Sequence, residues 1–155
     1  SPEVAVTILD LPGQAAVARQ DIAALGLQGR IAVQSCDLLD HSRALPAGFD
    51  AIWMSQCLVC FAEADVRRLL ERAAAALGPD SRLYILDTFW DRQDHEISAY
   101  CLQAFSPYFT CLANGCSRMY KSTDIAAMVE GAGMTIERVT GILGICSSLM
   151  ICRRR

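Results

Sequence analysis

Val4-Ala5-Val6-Thr7-Ile8-Leu9-Asp10-Leu11-Pro12-Gly13 is the stretch from which the rest of the chain is read. Five of its first six residues are apolar, the pattern of a parallel strand buried on both faces. The run then meets a carboxylate. Open α/β sheets bind ligands beyond the carboxyl ends of their strands, and in nucleotide-binding versions an acid there holds ribose hydroxyls. Two carboxylate oxygens facing two vicinal O–H donors make a bidentate, charge-assisted contact. The competing reading of Asp10 is a turn or helix-start acid, because Pro12 suits a first helical position.

Outward from this stretch, strand and helix patterns alternate. Gln14–Leu25 reads as a helix with Ala18, Ile22 and Leu25 on one face and Gly26 as its stop. Ile31–Gln34 reads as a short strand, and after a polar loop with Pro46 and Gly48, Ala51–Ser55 reads as another. The clearest helix is Glu63–Leu77, with Val66, Leu69, Leu70, Ala73, Ala74 and Leu77 on one stripe and Gly78-Pro79 ending it. Leu83–Leu86 is the next strand and closes on Asp87. Residues 91–120 carry five of the eleven aromatics, Tyr100, Phe105, Tyr108, Phe109 and Tyr120. Ser122-Thr123-Asp124 is a candidate cap for a helix with Ile125, Met128, Val129 and Ala132 on its face. Met134–Val139 and Ser147–Cys152 are spaced to pair as an antiparallel hairpin. The order implies an α/β fold with a mostly parallel sheet, helices on both faces and one antiparallel strand from the final hairpin.

The bulk numbers bound the function. The 155 residues suffice for one domain with a real core, and 53% hydrophobic against 20% charged residues argues against disorder. The net charge is −3, Lys121 is the sole lysine, and the terminal Arg153-Arg154-Arg155 reads as a solvated tail. No nucleic-acid partner is expected. No apolar run reaches the ~18 residues of a membrane span, so no membrane partner is expected either. The leading serine and the lack of a charged-then-apolar leader suggest a cropped or processed start. The eight cysteines do not form a tight secreted framework, so reduced, buried thiols and a cytoplasmic location are expected. Cys57-Leu-Val-Cys60 has redox or zinc spacing, but it lacks a second ligand pair, and no metal is expected.

Taken together, several pieces resemble the catalytic domain of class I S-adenosylmethionine-dependent methyltransferases, in particular small-molecule O-methyltransferases of the caffeic-acid and acetylserotonin type. They are Leu9-Asp10-Leu11-Pro12, Cys36-Asp37-Leu38-Leu39-Asp40, Leu45 through Ala51, Met54-Ser55-Gln56-Cys57-Leu58, Leu69 through Pro79, and Gly131 through Met134. The resemblance covers nearly all of residues 1–155. It implies a Rossmann-like sheet in which the ribose acid ends the second strand, so this chain is a partial catalytic domain starting there. The central first strand and its glycine-rich loop would lie upstream. It also implies S-adenosylmethionine as cofactor. Asp10 would hold the ribose, with Leu11 beside the adenine. Asp37 would take the adenine amino group, with Cys36 in the same motif and Leu38 on the ring. Met54 and Ser55 would border the methionine half. For Asp37 the competing reading is a loop acid in an Asx turn.

One departure is chemical. The family's histidine base sits in a Leu-His-Asp-Trp motif, and the residues aligned with it here are Leu58-Val59-Cys60-Phe61. Asp87 aligns with the carboxylate that supports that histidine, and His95 is a candidate replacement base. The competing reading of His95 is an exposed helix-start residue. Phe61, Phe105, Tyr108 and Asn114 are the candidate acceptor-binding residues. The resemblance implies methyl transfer to a hydroxyl, or an activated carbon, of a small aromatic molecule, and a homodimer in the full-length protein. Two alternatives stand beside it. An NAD(P)-dependent oxidoreductase would use Asp10 equally well, although no Tyr-x-x-x-Lys pair is present. A non-catalytic scaffold would account for Val59.

Overall fold

The computed structural model describes residues 3–112 and 115–155, so Asn114 lies outside the described residues. The chain divides into two compact units, Ser1–Ser42 and Arg43–Arg155, and the boundary falls in the polar loop ahead of Pro46.

The first unit is a β-α-β element: β1 (Val6–Asp10), α1 (Pro12–Ala24) and β2 (Ile31–Ser35). The strands pair in parallel, with Val6 opposite Ile31 and Asp10 opposite Ser35. β1 therefore begins later than the apolar run suggests and takes in Asp10 as its last residue. Thr7, Ile8 and Leu9 are half-buried and Val6 is exposed, short of the expected burial on both faces. One helix in this unit covers one face of its sheet. Pro12 opens α1 at a position where its missing N–H costs nothing. Ala15 and Ile22 are buried, but Leu25, expected on the same face, is 71% exposed. The helix stops at Ala24, and the chain reverses through Gly26 at φ +68°, which swings Leu25 off the stripe.

The second unit holds β3 (Ala51–Ser55), a 3-10 turn (Leu58–Cys60), α2 (Glu63–Ala76), β4 (Arg82–Asp87) and a second 3-10 turn (Trp90–Arg92). They are followed by α3 (Glu96–Leu112), α4 (Ser122–Gly131), β5 (Met134–Leu143) and β6 (Ser147–Arg154). The sheet order is β3-β4-β6-β5. β3 and β4 are parallel, and β6 runs antiparallel to both β4 and β5. The hairpin thus supplies one reversed strand, inserted between two that run the other way. Among the described residues, the two-stranded sheet is parallel, and the four-stranded sheet is mixed rather than mostly parallel, with one parallel and two antiparallel pairings.

The core follows the periodicities. Val66, Leu69, Leu70, Ala73, Ala74 and Leu77 are all buried, as their helical spacing predicts. They share the unit's interior with Ile125, Met128 and Val129 of α4, which packs against α2. On β4 every second residue is buried: Leu83, Ile85 and Asp87. β6 does the same with Ser148, Met150 and Cys152. The register sets Leu83 opposite Cys152, Ile85 opposite Met150 and Asp87 opposite Ser148. Two apolar rungs and one polar rung therefore share a face.

Two local expectations are corrected. Ser122-Thr123-Asp124 does not cap α4 with its own side chains, since Lys121 is the N-cap and makes no side-chain cap bond. The cap comes from Asp91, whose Oδ1 accepts from Ser122 N–H and whose Oδ2 accepts from Ser122 Oγ, each at 2.7 Å. The cysteines are free, and Cys60, Cys101 and Cys111 are exposed rather than buried.

Candidate functional site

In the first unit, Asp10, Leu11, Cys36, Asp37 and Leu38 come together at the carboxyl ends of β1 and β2. The bond from Cys36 N–H to the Asp10 carbonyl, 2.8 Å, sets the two strand ends side by side. The Asp10 carboxylate is exposed, and its Oδ1 accepts from Leu11 N–H at 2.8 Å. A carboxylate has about four acceptor positions, so most of its capacity faces outward. Asp37 is exposed and forms an Asx turn, its Oδ1 accepting from Leu39 N–H at 2.9 Å. That local bond fixes the side chain and leaves the second oxygen for a donor. Cys36 is buried, Leu38 half-buried and Leu11 half exposed.

In the second unit, the carboxyl ends of β3 and β4 meet. Met54 is buried and Ser55 exposed at the end of β3. Gln56, the next residue, has φ +47° and is the one described non-glycine residue in the left-handed region. Its N–H donates to the Leu86 carbonyl at 2.8 Å, which fixes this turn against β4. Such backbone costs of order 1–3 kcal/mol and persists where the surroundings over-determine it. Val59 and Cys60 follow in the 3-10 turn.

Asp87 ends β4 and is 2% exposed. Burial pushes its carboxyl up to about 6, against the backbone N–H groups of Thr88 and Val59, which bond to it and favour the charged form. Although Cys60 is an exposed residue, partial desolvation of its thiol pushes it up, followed by the charge of Asp87 and by Cys116. Neighbouring Phe61 is half-buried. Residues 117–120 are pinned along this turn. Arg118 N–H donates to the Val59 carbonyl at 3.0 Å, and Tyr120 Oη–H to the Phe61 carbonyl at 2.8 Å. Arg118 reaches Glu63 at 2.9 Å and lies over the Tyr120 ring.

His95 is exposed just before α3, and its carbonyl accepts the first helical N–H groups. Phe105 and Tyr108 are exposed on α3, which has no buried residue. Phe109 lies between them in ring contact. A groove of about 230 Å³ runs along the start of α3, lined by Gln93, Ile97, Ser98, Cys101, Leu102 and Cys146. A larger hollow, about 410 Å³, lies near Gly133 and Arg154, beyond the amino end of β4, and contains none of the expected site residues. Among the described residues no group of three or more His, Cys, Asp or Glu side chains is placed to hold a metal ion, and Cys57 is the N-cap of the 3-10 turn whose last residue is Cys60.

Residues 1–135 match the O-methyltransferase domain family. The chain belongs to that family. The mitomycin biosynthesis 6-O-methyltransferase of Streptomyces lavendulae is 29% identical over 139 residues, 88% of this chain and 37% of that protein. The solved structure of the mitomycin 7-O-methyltransferase MmcR superposes with a TM-score of 0.83 at 25% identity, over 99% of this chain and 43% of that one. The S-adenosylmethionine-dependent methyltransferase SibL, in its apo form, gives 0.82 at 28% identity, over 99% and 45%. The chain thus spans less than half the length of these relatives. No helix among the described residues is long and apolar enough to cross a membrane.

Gln56 and Ser148 were not anticipated from the sequence. The strain at Gln56 leaves no compositional trace. Ser148 acquires its importance from its register with Asp87, sixty-one positions away in the chain.

Proposed function

We propose that this chain is part of the catalytic domain of an S-adenosylmethionine-dependent methyltransferase acting on a hydroxyl, or an activated ring carbon, of a small aromatic molecule. The observation that carries the reading is the exposed Asp10 carboxylate at the carboxyl end of β1, in a chain of the O-methyltransferase domain family. The sheet is read as Rossmann-like, beginning at its second strand. Among the described residues β1 has only β2 as a neighbour and β3 only β4, which leaves each an edge for a further strand. Exposed edges of this kind are normally covered. A homodimeric, cytoplasmic protein fits this reading, and its free cysteines agree with a reducing compartment.

The residues present fit the cofactor. Asp10 has acceptor capacity for the ribose diol, Asp37 for the adenine amino group, and Leu11 and Leu38 supply apolar surface beside the ring. Met54 and Ser55 would border the methionine half. When bound, S-adenosylmethionine supplies an electrophilic methyl group, so the protein's own task is to orient the acceptor and take up its proton. In-line positioning alone supplies much of the rate. A phenol with a pKa of ~10 gains further from a base.

Asp87 and His95 are the candidate proton acceptors. Asp87 is favoured by a carboxyl held at about 6, near working pH, beside the turn that carries Val59. His95 is favoured by its chemistry alone. Phe61, Phe105 and Tyr108, with Asn114, are assigned to the acceptor. A scaffold without catalysis is the second reading, favoured by Val59 at the family's histidine position. Calorimetry with S-adenosylhomocysteine, together with a methyl-transfer assay on small phenols and naphthols, separates the readings. Binding and turnover support the enzyme, whereas absence of turnover, with or without binding, supports the scaffold.

A further inference from the structure

The shared face of β4 and β6 ends on a polar rung. Leu83 and Cys152, then Ile85 and Met150, pair across the two strands, and the third pair is Asp87 and Ser148. Ser148 is fully buried, and its Oγ has no hydrogen-bond partner among the described residues. A buried hydroxyl left unpaired pays its desolvation without return. Asp87 opposite it has capacity to spare. Two backbone N–H groups, from Thr88 and Val59, bond its carboxylate, and a carboxylate offers about four acceptor positions. Directly opposed residues in an antiparallel pair have Cβ atoms ~4.5–5.5 Å apart. That separation leaves room for one water between two short side chains.

We propose that one buried water joins Ser148 Oγ to the Asp87 carboxylate, making Ser148 the positioning residue for that carboxylate. The Ser148 O–H donates to the water, and the water donates to Asp87. The hydroxyl and the open acceptor position of the carboxylate are thereby satisfied together. The titratable group facing Asp87 from outside its own strand is the Cys60 thiol of the 3-10 turn. On β6 the next titratable side chain on this face is Cys152, two rungs away. The role of the pair in catalysis rests on the reading of Asp87 as proton acceptor, whereas the bridge itself does not.

The test is carbon-13 NMR titration of the aspartate carboxyls in the intact protein, with Asp87 assigned from its loss in Asp87→Asn. Ser148→Ala removes the hydroxyl that holds the water donating to the charged form and should raise the Asp87 midpoint by about one pH unit. Ser148→Thr keeps the hydroxyl and should leave it near the wild-type value. Ser148→Cys, close in volume and a poor donor, should give the alanine result, so the test stands even where the alanine variant does not fold. An unmoved midpoint in Ser148→Ala or Ser148→Cys overturns the proposal. The pH–rate profile then separates the two claims. If the midpoint rises and the rate limb follows, both hold. If the midpoint rises and the rate limb does not move, the bridge stands and Asp87 is not the proton acceptor.

Discussion

Replacing Asp87 by asparagine tests the buried carboxyl through stability rather than rate. In the folded chain burial carries this group from an ordinary 3.8 to about 6, while its backbone donors pull the other way. The unfolded chain titrates near the ordinary value. A carboxyl raised on folding binds its proton more tightly in the native state. Its contribution is therefore unpenalised below the unfolded pKa, and stability is lost as pH rises toward and through the folded one. At ~1.4 kcal/mol per pH unit the gap amounts to about 3 kcal/mol, fully lost by about pH 7, with about 1.3 kcal/mol of it lost between pH 5 and 7. Asparagine cannot ionise, so the variant lacks this slope while keeping those of all other groups. Urea denaturation of the intact protein and of Asp87→Asn at pH 5, 6 and 7, followed by tryptophan fluorescence, gives the difference at each pH. Wild type should lose about 1.3 kcal/mol relative to the variant across this window. Parallel profiles, or a difference of opposite sign, would show that Asp87 is not buried as a raised carboxyl.

Three further outcomes are expected. Asp10→Ala should weaken S-adenosylhomocysteine binding about 10- to 150-fold, the loss of ~1.5–3 kcal/mol for a charge-assisted contact, with Asp10→Asn in between. Unchanged affinity by calorimetry removes Asp10 from the cofactor site. Asp87→Asn should lower kcat by ~10²–10⁴ with cofactor affinity kept, and His95→Ala should leave kcat within about a factor of two. The reverse pattern would move the proton to His95. Asp91→Ala should cost ~0.5–2 kcal/mol through loss of the α4 cap, read as a shift in denaturation midpoint, and a neutral result would mean that water replaces the carboxylate there.

Much of the fold was legible because it obeys local periods. The α2 stripe from Val66 to Leu77 and the alternation on β4 follow directly from helical and strand spacing, and both are buried as that spacing requires. Asp10 and Asp37 could be read as strand-end acids, since Asp10 is the last residue of β1 and Asp37 lies two residues beyond β2, where α/β sheets put their ligands. What sequence did not reveal depends on distant pairing. The cap of α4 comes from Asp91 rather than from the Ser-Thr-Asp run beside it, because the Trp90–Arg92 turn brings that carboxylate to the helix start. Leu25 fits a helical stripe by spacing and leaves it because the helix ends one residue earlier. The burial of Asp87 was hidden because a strand-end acid looks the same in sequence whether it faces solvent or continues a core.

The pinning of residues 117–120 has a consequence for change over time. The chain leaves the packed region at Asp91, which bonds to Ser122 at the start of α4, and it is fastened again where Arg118 and Tyr120 bond to the turn at Val59 and Phe61. Between these two fastenings lies α3, which contributes no buried residue. A segment anchored at both ends and absent from the core behaves like an interchangeable cassette. Substitutions along its exposed face at Tyr100, Phe105 or Tyr108 alter what the surface presents while leaving the rungs of β4 and β6 untouched. Such an arrangement lets the chemistry of this surface change without each trial endangering the fold that carries it.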